Sequence, residues 1–273
     1  MIDELTFADW LRLREDADAA ARAVELVDPV RRRLTGPGPH VIHDLGTGTG
    51  SMGRWLAPQL PGPQHWVMYD RDDDLLARAT AGMAAVAAVD GGAVTAETRR
   101  TDITRLTPAD LSGAALVTAS ALLDMLTEAE AQRMVDACAG AGCPALFMVS
   151  VVGRVRFAPA DPLDAEFTEA FNAHQRRTTE GRALLGPDAV EAVVDAFGRH
   201  GVPVQVRSSP WRLGAEDSAL ALHWLAGWLE AAVETRPELA EAAVGYARRR
   251  RSEAAEGRLH VEVDHTDLLA GCG

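Results

Sequence analysis

The alternation of apolar and polar positions along the first 155 residues predicts a succession of short strands and helices. Apolar runs that predict buried strands lie at residues 41–45, 66–69, 94–100, 114–119 and 145–152. Between them, apolar positions that recur every three or four residues predict helices over 52–60, 74–89 and 128–139. Strands that alternate with helices at this spacing predict a parallel sheet with helices on both faces.

The flanking regions have a different rhythm. Residues 4–34 carry a helical period that ends at the breaker Gly36-Pro37-Gly38-Pro39. After residue 152 the pattern predicts helices over 157–177, 187–199 and 220–251, and strands over 202–208 and 259–265. We therefore expect an N-terminal helical lid (residues 1–36) and a main domain (37–273) with helical cap insertions at about 155–200 and 209–258.

Composition and charge narrow the possible partners. The formal net charge is -13, so we expect no nucleic-acid partner, because phosphates need a basic face. All 27 basic residues are arginine, which excludes a P-loop lysine and a Schiff-base lysine. No apolar run approaches about 18 residues and the N-terminus is acidic. Three irregularly spaced cysteines indicate reduced thiols and no metal site. We expect a cytoplasmic monomer or homodimer that does not bind membranes.

A glycine-rich turn follows the first predicted strand, in the segment Asp44-Leu45-Gly46-Thr47-Gly48-Thr49-Gly50. Parallel sheets bind ligands at the carboxyl ends of their strands, where this turn would lie. The spacing of Gly48, Gly50 and Gly53 also satisfies the dinucleotide pattern. An NAD(P)-dependent oxidoreductase that uses Gly48–Gly53 therefore remains an alternative.

Three acids at strand ends favour S-adenosylmethionine (SAM) over a dinucleotide. Asp44 precedes the glycines, where a carboxylate would repel a pyrophosphate but suits the amino group of SAM. Asp70 ends the second strand and can accept hydrogen bonds from ribose hydroxyls. Asp102 ends the third strand, suits an adenine amino group and is not part of the dinucleotide fingerprint. Each aspartate taken alone could instead be a helix N-cap.

Together, the loop from Asp44 to Gly50, Asp70 and Asp102 resemble the class I SAM-dependent methyltransferase family over roughly residues 40–155. The resemblance implies a Rossmann-like, mostly parallel seven-stranded sheet with an antiparallel last strand, here residues 259–269. It also implies that Asp44 and the glycines face the methionyl part of SAM, Asp70 the ribose, and Asp102 with Ile103 the adenine. The residues that we assign to the cofactor site are Arg14, Asp44, Gly46, Thr47, Gly48, Gly50, Asp70, Arg71, Asp102, Ile103 and Ser120.

Five further segments are similar to a group of actinobacterial small-molecule methyltransferases. They are residues 10–14, 122–124, 171–176, 209–213 and 265–269. This second resemblance supports the class and nothing finer.

Candidate catalytic residues follow from the chemistry of methyl transfer, which is an in-line displacement that needs alignment and exclusion of water. A base is needed only when the acceptor must lose a proton. Asp124, just past the fourth strand, and His174, on a predicted cap helix, are the candidates. The alternatives are an N-cap for the helix at residue 128 and a half-exposed helix histidine.

Substrate and lid contacts are expected from the flanking regions. Trp211 and Trp228 are candidates for an aromatic wall around a planar acceptor, with core packing as the alternative. Arg14 could close over the SAM carboxylate or pair with Asp16 or Asp18. His223 and His265 are expected to have structural roles.

The sequence therefore predicts an enzyme that transfers the methyl group of SAM to a small molecule. It leaves the acceptor atom open among oxygen, nitrogen and carbon. No Asn-Pro-Pro-Tyr or Asp-Pro-Pro-Tyr follows the fourth strand, which argues against methylation of nucleic-acid bases. A non-catalytic SAM-binding protein is a third alternative.

Overall fold

The computed structural model describes residues 5–36 and 38–272, so Pro37 and the ends of the predicted lid and main domain lie outside it. The α-helices of the described residues have these bounds: α1 Phe7–Ala21, α2 Val27–Arg33, α3 Ser51–Leu56, α4 Asp73–Met83, α5 Glu128–Ala141, α6 Asp164–Gln175, α7 Ala189–Arg199, α8 Ser218–Thr235 and α9 Ala240–Ala255. The strands are β1 His40–Leu45, β2 Gln64–Asp70, β3 Val94–Arg100, β4 Leu116–Ser120, β5 Ala145–Ala158, β6 Thr178–Thr179, β7 Arg182–Ala183, β8 Val204–Ser208, β9 Trp211–Leu213 and β10 His260–Ala270.

The central sheet has the strand order β3-β2-β1-β4-β5-β10-β8. β1 to β5 pair in parallel, whereas β10 is antiparallel to both β5 and β8. This confirms the predicted Rossmann-like, mostly parallel sheet with an antiparallel last strand. The short β9 also pairs with β10, beyond the end of β8. Strand order reverses between β1 and β4, so their carboxyl ends form the crevice where open α/β sheets bind ligands.

Helices cover both faces of this sheet because its central strands are apolar on both sides. On β2, Val67 belongs to a core that includes α5 and α7, whereas Trp66 and Met68 pack in a core with α2, α3 and α4. Near-continuous apolar strands are typical of parallel sheets that are buried on both faces. Because helices cover both faces of the sheet, the opening lies at the carboxyl ends of β1 and β4, toward the cap.

A third core joins the cap to the end of the sheet. It combines β9, β10 and the second half of β5 with α6, α8 and α9, and its largest buried side chains include Phe167, Trp228 and Tyr246. The helices of the predicted lid and cap do not all pack in this third core. Within the described residues, α2 packs on the sheet rather than on the cap, and α7 packs beside α5. The helices that surround the opening are therefore α1, α6 and α8.

Three predicted helix boundaries were wrong. The helix expected from residue 157 begins at Asp164, because β5 continues to Ala158 in antiparallel register with β10. The helix expected over 220–251 is broken at Arg236-Pro237, since proline has no N–H to donate. The helix expected over 74–89 ends at Met83, ahead of a turn that packs against β3.

Candidate functional site

A cavity of about 990 Å³ lies at the carboxyl ends of β1 and β4, between the sheet and the cap. The residues that line its glycine-loop end are Asp44, Gly46, Thr47, Gly48, Thr49, Ser51, Met52, Asp70, Arg71, Thr101, Ile103 and Thr104. Its cap end is lined by Trp10, Phe171, Gln175, Trp211, His223, Trp224, Trp228 and His265. The cavity therefore joins most of the predicted cofactor site to the aromatic residues of the cap.

The glycine loop turns sharply from β1 into α3 and is fixed to the end of β2. Gly50 adopts a φ of +85°, and a Cβ there would lie 3.1 Å from the Cα of Ala79 in α4. Only glycine fits this combination of left-handed backbone and close approach. The Gly48 N–H donates to the Asp70 carboxylate at 2.9 Å, and the Thr47 N–H donates to the Tyr69 carbonyl at 2.8 Å. The loop thus presents its backbone to the cavity in one fixed shape.

Asp44 lies buried beneath this loop, with 1% of its surface exposed. Its carboxylate accepts hydrogen bonds from the hydroxyls of Thr47 at 2.5 Å and Thr118 at 2.7 Å. Burial raises the pKa of Asp44 to about 6, against the opposing effect of these hydrogen bonds and of Arg22. A buried carboxylate with a raised pKa at a ligand cavity is typical of a functional position.

Asp70 and Asp102, both predicted to contact the cofactor, are used differently in the structure. Asp70 lines the cavity, and its carboxylate accepts from the backbone N–H groups of Gly48 and Arg71. The Asp102 carboxylate instead accepts from Thr104 and pairs with Arg71 at 2.6 Å, and Asp102 is not among the lining residues. Burial acts to raise the pKa of Asp102, but these partners outweigh it and hold the pKa at about 2. The predicted role of the Asp102 carboxylate toward adenine is therefore not supported, whereas Ile103 does line the cavity.

Ser120 lines the cavity at the end of β4 and accepts a hydrogen bond from Arg22 at 3.1 Å. Arg22 itself was not singled out from the sequence. It follows α1, is 4% exposed and also reaches Ser51 at 3.4 Å, so it connects the first helix to two residues of the cavity wall. Its burial lowers the pKa of the guanidinium, whereas the nearby Asp18, Asp267 and Asp44 act to raise it. Nothing in the sequence distinguishes Arg22 from the other arginines of the chain.

Asp124 lines the cavity from the turn that follows β4. Burial raises the pKa of this carboxyl. The N-cap alternative is wrong, because Thr127 caps α5 in a capping box with Glu130. Among the described residues, no side chain hydrogen-bonds or pairs with the Asp124 carboxylate, which leaves it available to a ligand.

His174, the second predicted catalytic residue, is not brought to the cavity. Its Nε2 lies 3.1 Å from a Glu234 carboxylate oxygen in α8. Phe171 and Gln175 of the same helix line the cavity, whereas His174 does not. We therefore withdraw His174 as a candidate base.

Trp211 and Trp228, the residues predicted to form an aromatic wall, line the cavity and also belong to the cap core. Trp211 is 2% exposed, and its Nε1–H donates to Asp18 at 2.9 Å. Trp228 is 1% exposed and stacks on Trp224 with ring centroids 5.7 Å apart. Both residues line the cavity, so core packing does not exclude contact with a ligand.

Arg14 lines the cavity but pairs with Asp18 through two hydrogen bonds of 3.0 and 3.1 Å. Its guanidinium also lies 4.8 Å from the centre of the Trp211 ring. The pairing with Asp18 that the sequence left open is therefore observed. Asp18 links the first helix to β9 by holding both Arg14 and Trp211.

Two histidines that were expected to be structural also line the cavity. His265 is 2% exposed, and burial lowers its pKa to about 4, so the ring is neutral at physiological pH. The Nδ1 atoms of His223 and His265 have no hydrogen-bond partner among the described residues. The sequence pattern did not mark either as a site residue, because His223 lies in an apolar helix and His265 at the end of an alternating strand, where structural roles are expected.

No group of three or more His, Cys, Asp and Glu side chains is placed to hold a metal ion. No helix among those described has both the length and the apolar character needed to cross a membrane.

Comparison with known proteins gives fold-level likeness only. No protein-family model matches the chain, and no curated protein matches it. Similar solved structures include a SAM-dependent methyltransferase from Geobacter sulfurreducens in complex with S-adenosyl-L-homocysteine. The two sequences are 14% identical, the match covers 98% of this chain and 99% of that chain, and the TM-score is 0.46. The YcgJ protein from Bacillus subtilis has 11% identity, 91% and 97% coverage and a TM-score of 0.49. The cyclopropane synthase MmaA2 from Mycobacterium tuberculosis has 11% identity, 98% and 99% coverage and a TM-score of 0.48. The function must therefore be argued from the site itself.

Proposed function

We propose that this protein is a methyltransferase that uses SAM to methylate a small molecule. The observation that carries the proposal is the single cavity that joins an acid-flanked glycine loop to an aromatic chamber. Such a cavity has room for a cofactor and a second small molecule side by side, as transfer between them requires.

The residues at the glycine-loop end fit SAM by their chemistry. When bound, SAM supplies a methyl group on a positively charged sulfur, and it also carries an ammonium group. The Asp44 and Asp70 carboxylates flank the loop and favour a cationic ligand. Asp70 can accept hydrogen bonds from ribose hydroxyls, and Ile103 offers an apolar surface to a base.

The same features disfavour the dinucleotide alternative. A pyrophosphate at the glycine loop would lie beside the Asp44 and Asp70 carboxylates. The helix that follows the loop, α3, has only six residues and contributes a weak dipole.

We also propose roles for Asp124 and for α1. Asp124 lines the cavity beyond the end of β4, where its carboxylate can accept a proton from an acceptor group. The α1 helix places Trp10, Leu11 and Arg14 over the cavity and so serves as a lid that excludes water. Its link to α3 is the Glu15–Arg54 ion pair at 2.6 Å.

Calorimetric titration with S-adenosylhomocysteine (SAH) and with NADPH tests the proposed cofactor. We expect SAH to bind with a dissociation constant in the micromolar range, about -8 kcal/mol, and NADPH not to bind at matched concentration. NADPH binding without SAH binding would overturn the proposal.

Transfer of a labelled methyl group from SAM into a small-molecule extract tests the enzyme against a non-catalytic binder. We expect label in a low-molecular-weight product, and none with the Asp44→Asn variant. SAH binding without transfer to any extract fraction would favour the non-catalytic alternative.

A further inference from the structure

The cap end of the cavity is unusually rich in aromatic rings. Four of the six tryptophans of the chain line the cavity, at positions 10, 211, 224 and 228. Phe171 adds a fifth ring to this chamber, with its centroid 6.4 Å from that of Trp228. Aromatic walls contribute large apolar contact areas to a flat ligand, and their faces also attract cations.

The positive charges on the cavity wall are all compensated by carboxylates. Three arginines line the cavity within the described chain, and each has an acid within 3.0 Å: Arg14 with Asp18, Arg71 with Asp102, and Arg182 with Glu130. A bound phosphate or carboxylate would have to compete for these arginines. The arginines that line the cavity therefore offer no free cation to an anionic acceptor. Arg22 has no ion pair among the described residues, but it lies behind Ser51 and Ser120 and away from the aromatic chamber.

The negative charges on the cap side are not compensated in this way. The Asp124 carboxylate has no side-chain partner among the described residues, and Glu230 lies exposed on the wall with no ion pair within the same part of the chain. Two acids against no free arginine give this chamber a negative potential, which favours a positively charged ligand.

We propose that the acceptor is a planar aromatic molecule bearing a basic amine, and that the amine nitrogen is methylated. This inference rests on the proposed function. The aromatic chamber holds the ring, and Asp124 holds the amine toward the glycine-loop end. The Asp124 carboxylate first accepts a proton from the bound ammonium, which frees the nitrogen lone pair. This lone pair then forms the bond to the methyl carbon as the carbon–sulfur bond breaks with its electrons left on sulfur.

Three indoles with the same two-carbon linker test this proposal, because they differ only in the terminal group. Tryptamine carries an ammonium, tryptophol a hydroxyl and indole-3-propionate a carboxylate. Each is titrated by calorimetry into the protein saturated with SAH, and binding of SAH is measured first on the same sample. We expect tryptamine to bind at least about tenfold more tightly than indole-3-propionate, with tryptophol between them.

Variants separate the charge from the ring. Asp124→Asn should reduce the preference for tryptamine to within about threefold, whereas Asp195→Asn, on the exposed side of α7, should leave it unchanged. Trp224→Leu should weaken all three indoles, and Trp224→Phe should restore much of the affinity.

The outcomes distinguish this inference from the function on which it rests. If SAH does not bind, the proposed function fails. If SAH binds but indole-3-propionate binds as tightly as tryptamine, or if no indole binds below about 10 mM, only the inference about the acceptor is overturned.

Discussion

Asp44 shows how one buried carboxyl can make cofactor binding depend on pH. Its pKa of about 6 lies above the usual 3.8, so the free protein holds this proton below about pH 6. Only the ionised form attracts the ammonium group of SAH. We therefore expect SAH affinity to fall by about tenfold between about pH 7.5 and pH 5, as measured by calorimetry.

The Asp44→Asn variant provides the control for this prediction. It should bind SAH weakly with little dependence on pH. Burying the ionised carboxylate costs stability above its folded-state pKa, so the variant should keep its melting temperature at pH 7.5. Unchanged pH dependence in the variant would show that another group titrates.

Asp70 is the second residue on which cofactor affinity should depend. Replacing it by asparagine removes the charge and leaves one acceptor oxygen for Gly48 or for a ribose hydroxyl. Since a hydrogen bond to a charged group contributes about 1.5–3 kcal/mol, we expect SAH to bind Asp70→Asn at least about tenfold more weakly. The matched control is Asp74→Asn, exposed in the first turn of α4. Equal affinities of the two variants would remove the ribose role from Asp70.

At the scale of elements, Asp267 joins three segments that are far apart in sequence. Its buried carboxylate accepts from the Ala23 N–H, from the Val149 N–H and from the Ser209 hydroxyl, all within 2.7 Å. Val149 lies within β5 with a φ of +56°, a conformation that a β-branched residue rarely adopts. The carboxylate thus holds β10 to a strained point of β5 and to the chain after α1.

Removing this carboxylate should destabilise the whole fold. We expect Asp267→Ala to lower the free energy of unfolding by about 3 kcal/mol or more, because two buried N–H groups lose their acceptor. Ser209→Ala should cost only about 1 kcal/mol, since it removes one of the three bonds. Urea unfolding followed by circular dichroism measures both, and equal losses would contradict the central place of Asp267.

The same elements show what the sequence could predict. Strands β1, β2 and β4 were located because continuous apolar runs end at turn residues. The second half of β5 was missed, although Arg154 and Arg156 alternate with Val155 and Phe157. That period of two indicates a strand, and it was outweighed by the helical pattern that follows. The predicted start of α6 is therefore seven residues too early.

The residues that line the glycine-loop end of the cavity are predictable where local pattern determines them. Asp44, Asp70 and the glycines follow directly from strands and a turn. Asp18, Arg22 and Asp267 could not be found, because their partners lie up to 244 residues away and depend on how the first helix packs. His174 was misassigned for the same reason, since periodicity does not show which face of α6 meets the cavity.

At the scale of the whole molecule, α1 is held to the body by few buried groups. Asp18 is the one buried residue within this helix, and the Glu15–Arg54 pair is partly exposed. Segments with few buried contacts open at low free energy. We expect residues 7–21 to exchange amide hydrogens quickly in the free protein and to gain at least about tenfold protection when SAH binds. The core strand β4 should not change, and equal behaviour of the two segments would contradict the lid.

The most direct test of the account is a crystal structure of the protein with SAH. We expect SAH along the glycine loop, with its ribose hydroxyls on the Asp70 carboxylate and its amino group on the side of Asp44. Its sulfur should face the chamber lined by Asp124 and Trp224. SAH bound in the aromatic chamber with its adenine, or bound away from the carboxyl ends of β1 and β4, would contradict the proposed methyltransferase.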